Sequence, residues 1–209
     1  MWQYAILTEY KDTESSMRRR KGLQFGKQRK KFNMPLFKEV LTWVAQIAIV
    51  IFLAYVCVNF WGTSTSVVGQ AMAENLDNGD RVLLNKFDYV FSNPKSGDVI
   101  VFLPNGNEKS HYYVRRVIGV PGDRLQIKDG AVYINGKLYD EKVQVAAMVE
   151  VGIAGEEILL GEDEYFVLGD NRNNSEDSRY ANIGNIKKEY IVGKAWYKFN
   201  SIKDMGFIH

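Results

Sequence analysis

A chain of 209 residues, 46% hydrophobic and 25% charged, has room for one sizeable domain plus an anchor, and length alone excludes little else. Its single cysteine, Cys57, excludes an internal disulfide, and two histidines, His111 and His209, leave no His/Cys zinc cluster. The net charge of +2 hides an asymmetry: residues 1–39 hold ten Lys or Arg against four Asp or Glu, and the other 170 hold 17 against 21. That split points to a basic membrane-proximal tail rather than a nucleic-acid-binding domain.

In the tail, residues 1–39, the charge concentrates in Arg18–Lys31, which has no periodicity. It reads as a solvated cytoplasmic arm beside anionic lipid headgroups. RNA binding is the weaker reading, since no aromatic stacking pattern accompanies the charge.

From Leu41 to Trp61 the sequence LTWVAQIAIVIFLAYVCVNFW carries no charge, and only Thr42, Gln46 and Asn59 are clearly polar. About 20 such residues cross the hydrocarbon core at 1.5 Å each. The rings of Trp43, Tyr55, Phe60 and Trp61 fall largely toward its ends, where amphipathic rings favour the interface. A transmembrane helix is therefore predicted over residues 40–61, single-pass in the cell membrane. The preceding basic cluster keeps the N-terminus cytoplasmic and sends residues 62–209 outside. A buried core helix is disfavoured by that same cluster. A cleavable signal peptide fits poorly because Ala71-Met72-Ala73, which imitates a small-x-small cleavage site, lies well beyond the apolar run.

After the anchor the signals are β throughout. DRVLLNKF, DVIVFLP, HYYVRRVIGV, DRLQIKDG, AVYINGKLY, EYFVLGD and YIVGKAWYKF are short runs rich in Val, Ile, Tyr and Phe, bounded by turn residues. Lys128-Asp129-Gly130 and Asn135-Gly136 have the positive-φ chemistry of tight hairpins. These predict a mainly β, antiparallel extracytoplasmic domain. Residues 144–155 carry a weaker signal and read as a loop or insertion. His111 reads as a strand-edge polar residue before a catalytic base.

Three stretches stand out: GQAM, residues 69–72, with NGDRVLLNK behind it; YYVRRVIGVPGD, residues 112–123; and GDNRNNSEDSR, residues 169–179. The third packs Asp, Asn, Ser and Arg into eleven residues, a composition suited to a fixed polar network in which each group satisfies another. In order and spacing they closely resemble bacterial signal peptidase I of the Gram-positive type, from Leu41 to about Phe199.

The resemblance implies a membrane-anchored β domain of the signal peptidase I type that removes signal peptides by a Ser/Lys dyad, with no cofactor or metal. It puts the nucleophile at position 71 and the general base at position 115. It gives supporting roles to Ser175, which orients the base, and to Asp177 and Arg179. It lines the substrate cleft with Gly69, Gln70, Met72 and Tyr113. The box at 169–179 matches in full, and Gly69 and Met72 fit the first motif. Yet Ala71 stands at the nucleophile position, Arg115 at the base position, and Glu74-Asn75 where Pro-Thr is usual.

Alanine has no nucleophilic atom, and a guanidinium, with a pKa above about 12, does not accept the proton. Neither Ser64 nor Ser66, a few residues upstream, replaces the nucleophile, and Lys109 lies about 20 Å along a strand from position 115, beyond hydrogen-bond reach. The expectation is a catalytically silent member that binds signal peptides or preproteins. The alternative is an active signal peptidase I inactivated in this chain. Silent members are associated with assembly of surface proteins such as pilins, so clients of that kind are implied, together with membrane lipids and without nucleic acid. Arg115 is expected to pair within the Ser175/Asp177 network or with Glu74.

Overall fold

The computed structural model describes residues 33–61, 63–73, 75–200 and 205–208. Most of the basic tail and Glu74 lie outside these. Two compact units divide the chain, Met1–Ile47 and Ala48–His209, with the boundary inside the first helix.

That helix, α1, runs over Met34–Trp61, 28 residues, and so begins ahead of residue 40. Pro35 suits a first turn, where its fixed φ is helical and its missing N–H has no partner to lose. Within it Met34–Val58 is long and apolar enough to cross a membrane, and none of its most apolar window is buried. At 1.5 Å per residue those 25 residues reach about 37 Å, against a hydrocarbon core of about 30 Å. Trp43, Ile51 and Phe52 are all more than 60% exposed. A helix apolar on every side has no stable place in water.

The rest is β. In chain order the strands are β1 (Ser64–Ser66), β2 (Arg81–Asn85), β3 (Val99–Phe102), β4 (Tyr113–Gly119), β5 (Arg124–Lys128) and β6 (Ala131–Ile134). They continue with β7 (Lys137–Leu138), β8 (Ile158–Leu159), β9 (Glu164–Leu168), β10 (Ile186–Lys187), β11 (Ile191–Phe199) and β12 (Met205–Phe207). One sheet has the order β1-β2-β11-β3-β4-β9-β10, with β12 also on β11, and a smaller one has the order β7-β6-β5-β8. Every ladder is antiparallel. The two turns of the small sheet are the anticipated ones: Asp129-Gly130 has φ of 51° and 76°, Asn135-Gly136 of 54° and 76°, matching the primed turns that follow the twist of a hairpin.

Alternation explains how the large sheet is covered on both faces. Val99 and Val101 join a core with Met72, Leu76 and Val82, while Ile100 and Phe102 join another with Val117, Tyr165 and Val167. In β9, Phe166 and Leu168 turn instead toward a third core with Ile118, Leu125 and Leu160, beside the small sheet. Successive strand residues point to opposite faces, so a fully buried VIVF strand feeds two cores at once.

β4 lies between β3 and β9, and Val114 to Gly119 are all buried. Its ladder with β3 starts at Tyr113, but its ladder with β9 starts only at Arg116. On the β9 side the strand therefore projects from Tyr113 to Arg115 past the end of its neighbour. Residues 144–155 form an irregular segment ending in a 3-10 turn at Gly152–Gly155, as their weak signal implied. They are nevertheless tied down, since Arg179 Nη1 donates to Glu150 O at 2.9 Å and Ile153 N to Arg179 O at 3.0 Å.

Candidate functional site

A cleft of about 270 Å³ brings the three motifs together. Val68, Gly69, Gln70 and Ala71 line it from the turn after β1, His111 and Tyr112 from the residues just before β4, Tyr113 and Arg115 from the start of β4, and Asn174 and Glu176 from the box after β9. A larger cavity of about 700 Å³, bounded by Gly161, Glu162, Asp163, Glu164, Lys187, Lys188, Glu189 and Ile191, shares no residue with it.

The turn is built to hold position 71. Gly69 adopts φ of +88°, a conformation that side chains disfavour, and its N–H donates to Asn78 Oδ1 at 2.9 Å. Asn171 N donates to Ala71 O at 3.0 Å, and Asn171 Nδ2 to Gln70 O at 3.1 Å, so the box grips the turn by its backbone. A β-carbon on Gly169 would overlap Ser175 Oγ and the Ala71 carbonyl. Gly169→Ala is therefore expected to destabilise the domain by about 1–3 kcal/mol, as overpacking does. Thermal denaturation checks this, and an unchanged midpoint would mean that the contact yields.

Behind the cleft the box is a buried ionic network. Asp177, with no exposed surface, accepts from Gly169 N at 3.1 Å, Arg179 Nε at 2.8 Å and Arg179 Nη2 at 2.9 Å. Asp170 takes Arg116 bidentately, at 2.8 and 2.7 Å, and Asn75 Nδ2 at 2.8 Å. Arg172 spans Glu141 at 2.6 and 2.8 Å. Asp177, Asp170 and Arg172 each have an opposite charge at hydrogen-bond distance, the condition under which burial is tolerated.

Arg115 is buried, 6% exposed, and its partners among the described residues are not the Ser175 and Asp177 side chains anticipated from the sequence. Glu74, the other partner anticipated, lies outside the described residues. Nε and Nη2 donate to the backbone carbonyl of Glu176 at 2.9 and 2.6 Å, and Nη1 to Val114 O at 2.7 Å. Its guanidinium carbon sits 5.0 Å from the centre of the Tyr113 ring. It makes no bond to Ser175 or to the Asp177 carboxylate among the described residues. The reason is reach: the guanidinium fork matches one carbonyl on the loop, that of Glu176, and one on its own strand, that of Val114, and Asp177 is already filled by Arg179. Burial lowers the Arg115 pKa from its ordinary value, while the charge of Asp177, then of Tyr113 and Glu176, opposes that. Ser175 Oγ is left buried without a hydrogen-bond partner.

Met72 also departs from its expected place. It is 1% exposed and packed into the core with Val67, Leu76 and Val82, beneath the cleft rather than along its wall. The turn that sets the buried Ala71 against the cleft rotates its successor deeper, into the core. Gly69, Gln70 and Tyr113 do line the cleft, while Ser175, Asp177 and Arg179 stand behind it. Glu176, Asn174 and His111 line it too and were missed as wall residues. The position of Glu176 between Ser175 and Asp177 was the available signal. Among the described residues no cluster of His, Cys, Asp and Glu is placed to hold a metal ion.

A family model described as signal peptidase, peptidase S26, matches residues 40–199, a span that holds all three motifs. The chain belongs to the signal peptidase family. It is 35% identical over 161 residues to Signal peptidase I P of Bacillus subtilis subsp. natto, covering 74% of this chain and 85% of that protein. It is 34% identical over 179 residues to Signal peptidase IB of Staphylococcus aureus strain COL, covering 78% and 90%. The crystal structure of a signal peptidase I from Enterococcus faecalis V583 is also similar, with 28% identity and a TM-score of 0.38, over 49% of this chain and 97% of that one. Signal peptidase I proteins are membrane-anchored and act on the signal peptides of preproteins, and α1 is a fitting anchor here.

Proposed function

We propose that this signal peptidase family protein holds extended peptide at the outer membrane face without cutting it. The observation that carries the reading is Arg115: three of its donors are bound to backbone carbonyls, and only a methyl group stands at position 71. Neither group takes part in proton transfer or attack. The orphaned Ser175 hydroxyl supports it, because a lysine ammonium is the partner that the resemblance gives that serine and the guanidinium reaches past it.

In this reading Ala71 and Arg115 occupy the nucleophile and general-base positions, and Ser175, Asp177 and Arg179 support them. Gly69, Gln70 and Tyr113 contact the peptide, with Met72 holding the turn from below. The free edge of β4 from Tyr113 to Arg115 lets an extended segment add as a strand, which needs no reaction at either substituted position. The clients are signal peptides or preproteins, among them surface proteins such as pilins. Residues 40–61 span the cell membrane, 1–39 lie in the cytoplasm against lipid headgroups, and 62–209 lie outside.

Asn75 favours a naturally silent member over an active enzyme altered at two positions. Its side chain is built into the Asp170–Arg116 network, so the loop around Ala71 is fitted to its surroundings.

The test is a fluorescently labelled peptide spanning a signal-peptide junction, titrated into the full chain in detergent and followed by mass spectrometry. The expected result is saturable binding with the peptide recovered intact. Cleavage at the junction, or no binding, overturns the proposal.

A further inference from the structure

We infer that Glu176 makes this cleft selective for extended peptides that carry a lysine or arginine side chain in register with it, an inference that rests on the peptide-holding reading above. Glu176 is exposed and lines the cleft beside Ala71 and Tyr113. Its two carboxylate oxygens are each held by one neutral donor. Tyr113 Oη donates to Oε2 at 3.0 Å, and Asn182 Nδ2 donates to Oε1 at 3.0 Å. Burial, then the bond to Glu176, raise the Tyr113 pKa, so the phenol remains a donor.

A carboxylate has about four acceptor sites, and two donors leave the others open. Glu176 forms no ion pair among the described residues, and the Arg115 charge acts on it only across space. The nearby cation does not supply one. Arg115 directs Nε and Nη2 to the backbone carbonyl of Glu176 rather than to its carboxylate, and Nη1 to Val114 O. His111, the other basic group on the cleft wall, makes no hydrogen bond among the described residues.

The result is a fixed negative charge, oriented by neutral groups, at the wall of a groove that accepts a backbone. Fixing both oxygens before binding removes most of the rotamer cost of forming a new charge-assisted bond. The alternative is a purely structural brace that ties the loop after β9 to the start of β4. A brace is indifferent to the charge of the peptide, and that difference is measurable.

The experiment uses the full chain in detergent and three sets of labelled extended peptides, identical except for a Lys, Ala or Glu moved along the sequence one position at a time. At one position the Lys peptide is expected to bind about fivefold tighter than the Ala peptide, the upper range for a partly exposed pair. The Glu peptide is expected to bind more weakly, and added salt should narrow the gap. In Glu176→Gln the ratio of Lys to Ala peptide affinity should fall to about one, whatever the absolute affinities. Equal affinities for Lys and Ala peptides at every position overturn the inference and leave the peptide-holding reading standing. A Lys preference that survives Glu176→Gln also overturns it. Failure of every peptide to bind removes the peptide-holding reading itself, and this inference with it.

Discussion

The chain carrying Ala71→Ser together with Arg115→Lys is expected to cleave a preprotein at its mature junction, where the unmodified chain leaves it intact. Loss of the nucleophile in a comparable serine protease lowers turnover by about a millionfold, so even a partial recovery stands far above background. The cleft holds the parts for this. The turn presents position 71 through the Asn171 and Gly69 bonds. Ser175 Oγ is without a partner and abuts Gly169, as the Ala71 carbonyl does. A lysine at 115 is shorter than arginine and carries three rotatable donors, and the expected rescue requires it to take that hydroxyl in place of the Glu176 carbonyl. Desolvation lowers its pKa from about 10.4 and frees the amine to accept the hydroxyl proton. The sign follows directly: activity of the double variant should rise with pH as the amine loses its proton.

Each single change should stay silent. A hydroxyl beside a permanently charged guanidinium has no base, and an amine beside a methyl group has no nucleophile. Such pairs act as a unit, and their effects do not add. The measurement is gel or mass-spectrometric detection of the mature product for all four chains. Equal cleavage by Ala71→Ser alone and by the pair would refute the role given to position 115. Cleavage by the unmodified chain would refute silence altogether.

Much of this arrangement was legible in the sequence, and the parts that were not share a physical cause. α1 is visible because 21 uncharged residues have few other uses, although its start at Met34 depends on Pro35 fitting a first turn. The longer strands show as β-branched and aromatic runs, and the hairpins show through Asp129-Gly130 and Asn135-Gly136. β1, β8, β10 and β12 have two or three residues each, too few for a period, and exist because a neighbouring strand offers an edge. The box announced a polar network, but its pairing depends on which oxygens lie within reach. The acceptors of Arg115 are backbone carbonyls, which no residue name reveals. Met72 fails as a wall residue for a related reason, since the facing of a turn residue is set by the turn and carries no periodic signature.

Asp177→Ala is expected to cost the domain about 3–5 kcal/mol, the penalty for leaving one charge of a buried pair without its partner. Asp177 and Arg179 have side chains 0% and 2% exposed, and the carboxylate also takes Gly169 N. Removing it strands the Arg179 guanidinium, whose remaining acceptors are the carbonyls of Arg172 and Glu150. The same change frees Gly169, which abuts both Ser175 and the Ala71 carbonyl, so the cleft should loosen along with the core. For a domain of this size the melting midpoint should fall by about 10 °C. Glu157→Ala provides the comparison. Its pair with Arg124 is also close, at 3.0 Å, but the two side chains are 50% and 60% exposed, and water already screens them. Such a pair contributes about 0–1 kcal/mol, so its midpoint should move by no more than about 3 °C. Calorimetry on the two variants decides the matter. Equal shifts would mean that the box is held by its loop packing rather than by its ions, and the buried network would lose its place as the support of the cleft.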